Sequence, residues 1–276
     1  MFSLIEEILL SILLLITLGS FSYEIIKRFN IVLKGDGSLP FDNFGSRFLR
    51  VFNEFILQKK VLKQRFIPGL MHAFVFWGFI AFSIITIDHF MRGFNLALFS
   101  DTMRYYYSLF LGVPWSMLVL IGILYLAYRR FYKRPKFLGN KISYSSGIVV
   151  VFISVLMITY MIDSYWIIKD VHPAAISFKI NWWIHATLIL AFLFLIPRSK
   201  HLHLVLSPIN IFFKPFQLPE HTAVNIDLEG SEDELDTMLS DLAQMTKNQT
   251  LDVFSCVECG RCIDVCPANR GGGLLD

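Results

Sequence analysis

Charge is what this sequence has little of. Only 17% of its 276 residues are Asp, Glu, Lys or Arg, against roughly 25% in an ordinary soluble domain. With 55% of the chain hydrophobic and 15% aromatic, a bilayer-embedded protein is expected. The net charge of +3 is too small for a nucleic-acid binder. Cysteine is absent from the first 255 positions; all four lie between Cys256 and Cys266. A disulfide framework would scatter them and would need an oxidising compartment, so the cluster reads as a metal site in a reducing one. The N-terminus lacks the basic region of a signal peptide, and Glu6 and Glu7 precede its apolar run. It is read as a retained first span. No internal repeat stands out.

The apolar residues come in long runs. A bilayer core of about 30 Å needs about 20 of them in a helix. Five stretches qualify: 4–26, 66–89, 106–128, 145–168 and 181–206, the last interrupted by Pro197 and emerging into water near Arg198. Loop charge sets orientation. Segments 27–65 and 129–141 carry 15 Lys and Arg, whereas the opposite loops carry four: Arg92, Arg104, Lys169 and Lys179. The N-terminus is therefore expected outside and the cysteines in the cytoplasm. The stretch 207–219 is aromatic and proline-punctuated, with Phe212, Phe213 and Phe216 expected at the interface. Within the acidic stretch 220–250, Ser231 and Glu234 form a capping-box pattern. It heads a short amphipathic helix with Leu235, Met238, Leu239 and Leu242 on one face.

The run Cys256-Val-Glu-Cys259-Gly-Arg-Cys262-Ile-Asp-Val-Cys266-Pro267 matches the bacterial ferredoxin spacing C-x2-C-x2-C-x3-C-P. Two-residue gaps let one loop deliver three thiolates to three irons of a [4Fe–4S] cube. Gly260 relieves crowding where backbone approaches the cluster, and Pro267 redirects the chain. A zinc knuckle would pair two C-x2-C units across a longer gap or add histidines. In two-cluster proteins the fourth cysteine serves the other cluster, so Cys266 calls for a second triplet that this sequence lacks. A partner chain supplies it, or the chain is a fragment or natural truncation, or Cys266 completes a single unusual cluster. The fragment or truncation is the expectation.

Four histidines share a pattern. His72 and His89 lie on the second span, 17 residues or about 26 Å apart. His185 and His203 lie on the fifth span and its extension, 18 residues or about 27 Å apart, which is five whole turns and hence one face. On antiparallel helices His72 matches the depth of His203 on the inner side, and His89 that of His185 on the outer side. Two stacked bis-histidine haem b sites would follow, since imidazole is a haem axial ligand. Against this, a lone histidine at a span end is commonly interfacial, and His89 sits about 100° off the His72 face. His201 can stand in for His203; His172 and His221 read as loop residues. Asp88 and Asp163 lie toward the outer side and either line a quinone pocket or proton path or are simply interfacial, the preferred reading. Trp166, Trp182 and Trp183 fit an outer aromatic belt. Arg198 and Lys200 are candidates to meet haem propionates.

These residues carry a resemblance. Pro197-Arg-Ser-Lys-His-Leu-His203-Leu-Val-Leu-Ser-Pro208 resembles the end of the last helix of the respiratory nitrate reductase gamma subunit, a five-span dihaem b protein. There the matching histidine is a haem ligand, with another 18 residues earlier, as His185 is here. Met71-His72-Ala-Phe-Val-Phe-Trp-Gly-Phe resembles its second-helix ligand motif. The cysteine run is similar to the iron–sulfur subunits of heterodisulfide reductase. The module order resembles membrane-bound heterodisulfide-reductase-like proteins, among them electron-transfer-flavoprotein:menaquinone oxidoreductases. The gamma subunit's second ligand on that helix falls ten residues after the first, at Phe82 here, so His89 would have to serve for the outer haem.

The expected architecture is an all-α integral membrane protein: a five-helix haem b bundle over 1–215, an acidic linker over 216–250 and an incomplete ferredoxin-like segment over 251–276. The expected activity is that of an oxidoreductase or oxidoreductase subunit. It would pass electrons between a cytoplasmic partner such as an electron-transfer flavoprotein, a [4Fe–4S] cluster, one or two haems b and menaquinone or another quinone. A quinol-oxidising subunit feeding a cytoplasmic reductase is the alternative within that class. A non-catalytic, haem-free anchor is the alternative outside it. A transporter is disfavoured by the lack of paired broken helices.

Overall fold

Long apolar runs, broken by proline away from their ends only at Pro114 in the third, form long helices because a helix satisfies its own backbone hydrogen bonds. A computed structural model describes residues 2–135, 143–216 and 245–271. The sequence-predicted helix over Ser231–Met245 and His221 fall outside the described residues, apart from Met245. In chain order the helices are α1 (Leu4–Lys34), α2 (Phe44–Val51), α3 (Lys59–Gln64), α4 (Phe66–Gly93), α5 (Asp101–Tyr107), α6 (Val113–Ala127), α7 (Tyr144–Ile168), α8 (Ala175–Leu195), α9 (His203–Phe213), α10 (Lys247–Phe254), α11 (Arg261–Val265) and α12 (Pro267–Arg270). Short π-helical turns extend α2, α5 and α6. Among the described residues, five helical stretches are long and apolar enough to cross a membrane: Leu4–Lys34, Phe66–Gly93, Asp101–Lys133, Tyr144–Ile168 and Ala175–Arg198.

The third span is longer than the 106–128 read from hydropathy. The Ser100 side chain accepts a hydrogen bond from the Met103 amide and starts the helix early, and π turns carry it on to Lys133. The fifth span is shifted rather than extended. It ends in a 3-10 turn over Ile196–Arg198, and a second turn over Lys200–Leu202 precedes α9. Pro197 lacks the amide that would continue the ladder. His185 and His203 therefore do not share one continuous α-helix, and the five-turn argument for a common face does not apply.

The described chain forms two compact units. The first comprises Met1–Phe21, Lys60–Leu195 and Glu258–Asp276. Within it, α4 packs on α6, α6 on α7 and α7 on α8. Glycines permit the close approaches, as they do between membrane helices generally. A Cβ on Gly78 would lie 2.1 Å from Val119 Cγ2, and one on Gly122 would lie 2.6 Å from the Met71 carbonyl oxygen. Val119, Leu156 and Met157 form one buried cluster, with Phe82 packed against it. Phe2, Leu10, Trp182 and Ala186 form another. Outward-facing Leu15, Ile84, Ile121 and Val151 stay more than half exposed, as lipid-facing positions must.

The second unit comprises Ser22–Lys59 and Ile196–Val257. Its organiser is Arg47, only 2% exposed. Arg47 donates to the Asp42 carbonyl and carboxylate and to the carbonyls of Phe212 and Lys214. The guanidinium holds the Asp42 carboxyl below the usual carboxylate range. In the same unit the Asp36 amide donates to the Met245 carbonyl at 3.0 Å and the Lys247 amide to the Asp36 carbonyl at 3.1 Å.

Candidate functional site

The first unit brings two of the four predicted histidines together. His89, near the end of α4, and His185, in α8, have ring centroids 4.9 Å apart. Thr159, on α7, orients the second of them. The Thr159 hydroxyl donates to the Val155 carbonyl at 2.9 Å. Its oxygen is left to accept from His185 Nδ1 at 2.7 Å. That assigns the proton to Nδ1 and leaves Nε2 as the basic nitrogen, the state in which an imidazole ligates a metal while its other N–H is held. Asn181 steadies Thr159 by donating to its carbonyl at 3.0 Å.

His89 is held differently. Its ring stacks on Trp182 at 4.8 Å and 13°. Its Nε2 is buried and makes no hydrogen bond. A buried polar atom without a partner costs about 1–3 kcal/mol, so this nitrogen suits a ligand that claims its lone pair. Both nitrogens fit iron in kind. In spacing, two imidazoles on opposite faces of one iron stand further apart than these rings do, so loading would part them. Trp182 is the correction to the aromatic belt: it is 4% exposed and belongs to the core beside His89, whereas Trp166 and Trp183 are half-buried.

Next to this pair lies a buried ion network. Asp88 is 1% exposed and pairs with Arg92 at 2.8 Å. It also accepts from the amides of Leu98 and Phe99. Arg104 reaches Asp88 at 3.5 Å and Asp163 at 3.1 Å. Simple interfacial placement is thus corrected for Asp88, which ties the loop after α4 to α5 and α7. Sequence reading singled out both aspartates but not Arg104, whose partners stand 16 and 59 residues away.

His72 lies near the opposite end of α4, where the α6 backbone passes close at Gly122. His203 and His201 belong to the second unit. His203 Nδ1 donates to the Lys200 carbonyl at 2.8 Å, which makes Nε2 its basic nitrogen. His201 Nδ1 faces Ser199 Oγ at 3.0 Å. His172 is exposed beside Asp170, as a loop residue. In the second unit, Arg198 pairs with Glu24 at 3.2 Å.

The cysteine segment is built by local backbone. Thr246 and Gln249 form a capping box that starts α10. After it, Glu258 and Gly260 adopt φ of 51° and 70°, left-handed turns that separate Cys256, Cys259 and Cys262 within seven residues. Gly260 takes that conformation without a Cβ penalty. All four thiols are free, the first three exposed and Cys266 half-buried. Among the described residues no three His, Cys, Asp or Glu side chains group to hold a single metal ion. A cube presents a separate iron to each thiolate, so four free thiols in this window suit it in donor chemistry. Arg130, at the end of the third span, approaches Glu258 at 3.9 Å. That is the end of the first unit to which α4 brings His72.

The chain is 29% identical to the probable iron-sulfur-binding oxidoreductase FadF of Bacillus subtilis over 283 aligned positions, covering 92% of this chain and 39% of that protein. It is 23% identical to the EtfAB:quinone oxidoreductase of Syntrophomonas wolfei, covering 98% of this chain and 42% of the relative. The chain thus spans about two fifths of the length of these curated relatives. No protein-family profile matches it, and no solved structure does. The homology is distant, covers most of the chain and is to oxidoreductases.

Proposed function

We propose that this chain is the membrane part of a quinone-linked iron–sulfur oxidoreductase, exchanging electrons between a cytoplasmic partner and the quinone pool. The observation that carries the reading is the half-buried His89–His185 pair at one end of the first unit, whose other end meets the cysteine segment. The relatives' names support it: one is named a probable iron–sulfur-binding oxidoreductase, the other an EtfAB:quinone oxidoreductase. By that analogy the partner is an electron-transfer flavoprotein, and the family resemblance makes the quinone menaquinone.

When bound, a [4Fe–4S] cluster and haem b supply one-electron carriers. The chain's task is to hold and tune them. Cys256, Cys259 and Cys262 would hold the cluster, with Cys266 to it or to a second one. His89 and His185 would hold the outer haem, with Thr159 fixing the His185 tautomer. His72 and His203 would hold the inner haem, with the Lys200 carbonyl fixing the His203 tautomer. Residues 1–215 then make the haem domain, 216–250 the linker and 251–276 the start of an iron–sulfur domain. A haem-free anchor carrying only the cluster is the second reading, favoured by the 4.9 Å ring spacing.

Purified protein separates the two. A dithionite-reduced minus air-oxidised visible spectrum should show b-type haem bands, alongside iron in excess of haem and acid-labile sulfide. Full cluster occupancy with no haem bands would sink the haem assignments and leave the anchor. Loss of one haem in a His89→Ala or His185→Ala variant, with the other retained, is the expected signature of the outer pair.

A further inference from the structure

Helix α2 is turned inside out for a protein in water. Phe44, Phe48 and Phe52 follow each other at four-residue steps, within about 80° of arc at helical pitch. The polar residues Ser46, Arg47 and Arg50 occupy the other half of the turn. In a soluble fold the aromatic stripe would face inward. Here Arg47 is the buried residue, at 2% exposure, while Phe44 and Phe48 are 62% and 61% exposed and Leu49 is 59% exposed. Arg47 spends its donors on the carbonyls of Phe212 and Lys214 at the end of α9 and on Asp42. Arg50 donates to the Lys214 carbonyl and lies over the Phe216 ring at 3.9 Å. The polar face is thus fastened to the protein, and that attachment aims the aromatic face outward. Phe41 extends the stripe ahead of the helix, edge-on to Phe213.

We propose that α2 lies along the membrane surface, with Phe41, Phe44, Phe48 and Phe52 seated in the acyl-chain boundary of the leaflet where α1 ends. Two further features select lipid over a protein partner. The stripe follows the end of the first span by one loop, so it stands where headgroups give way to chains. Segment 27–65 carries nine Lys and Arg against three acidic residues, and Lys27, Lys34 and Lys59 are exposed. Aromatic residues on one face with basic residues flanking them match an interfacial helix that also attracts anionic headgroups.

The test places a tryptophan at Phe44, at Phe48 and, as the polar-face control, at Ser46, each in the full chain reconstituted into nanodiscs. Discs with lipids brominated in the acyl chain are compared with unbrominated ones. The emission added over the five native tryptophans is read as variant minus wild type. Phe44→Trp and Phe48→Trp should lose most of that added emission to bromine, and Ser46→Trp should keep it. Unquenched emission at both 44 and 48 overturns the proposal, because a second copy, another protein segment or water then covers the stripe. Equal quenching at all three positions overturns it too, because the helix then has no lipid-facing side.

Discussion

His185 has one nitrogen committed to Thr159 and one available, and that asymmetry is a property of a single hydroxyl. Thr159→Val keeps the side-chain shape and removes the acceptor. The outer pair should then bind haem about 10- to 100-fold more weakly, the usual cost of losing a ligand's orienting partner. Haem titration of the purified variant measures this, and an unchanged affinity would show that Thr159 does not orient a ligand. Asp88 acts at the same scale but on stability. Removing one partner of a buried ion pair costs about 3–5 kcal/mol. In Asp88→Ala the Arg92 guanidinium and the amides of Leu98 and Phe99 lose their acceptor. A clear fall in the thermal unfolding midpoint in detergent is expected, with the cysteine segment's iron content unaffected. Both roles were invisible locally: Thr159 and His185 are 26 residues apart, and nothing in a run of apolar residues marks one threonine as an acceptor.

Helices α4 and α6 meet without room for a methyl group at Gly78. Gly78→Ala would drive a carbon to 2.1 Å from Val119 Cγ2, and overpacking of that kind costs about 1–3 kcal/mol. Val119→Ala removes the obstructing methyl, so the double variant should recover much of the loss despite carrying two changes. A double-mutant cycle on unfolding midpoints reads the coupling; additive losses would mean that the helices are not in this register. The spans themselves were legible as hydropathy, to within a turn or so at most ends. Their ends were less so. The third begins at Asp101 because Ser100 caps it, and the fifth stops near Arg198 because Pro197 breaks the ladder. End positions depend on one capping or breaking residue, whereas a span depends on about 20 apolar ones.

At the scale of the whole molecule, loop charge predicts the topology. With 15 basic residues on one set of loops and four on the other, reporter fusions within 35–65 and after Cys266 should report the cytoplasmic side, and a fusion within 94–100 the outer side. The opposite result would separate the cysteine segment from any cytoplasmic donor and refute the proposed route. If the route holds, Cys259→Ser should abolish the cluster's EPR signal while the haem bands persist, since the proposed ligands of the two groups share no residue.

The sequence by itself determined five stretches long and apolar enough to cross a membrane, because hydrophobic length is counted along the chain and needs no neighbours. It also determined the cysteine motif, because a two-residue spacing is local backbone. It paired His89 with His185 by matched depth but did not give their contact, and it read Trp182 as part of an outer aromatic belt and Asp88 as interfacial. Only the tertiary structure decided those points. Which face of an almost uniformly apolar helix turns inward is set by where glycines such as Gly78 and Gly122 let another helix approach. In a span that is apolar all round, periodicity carries no signal of its own.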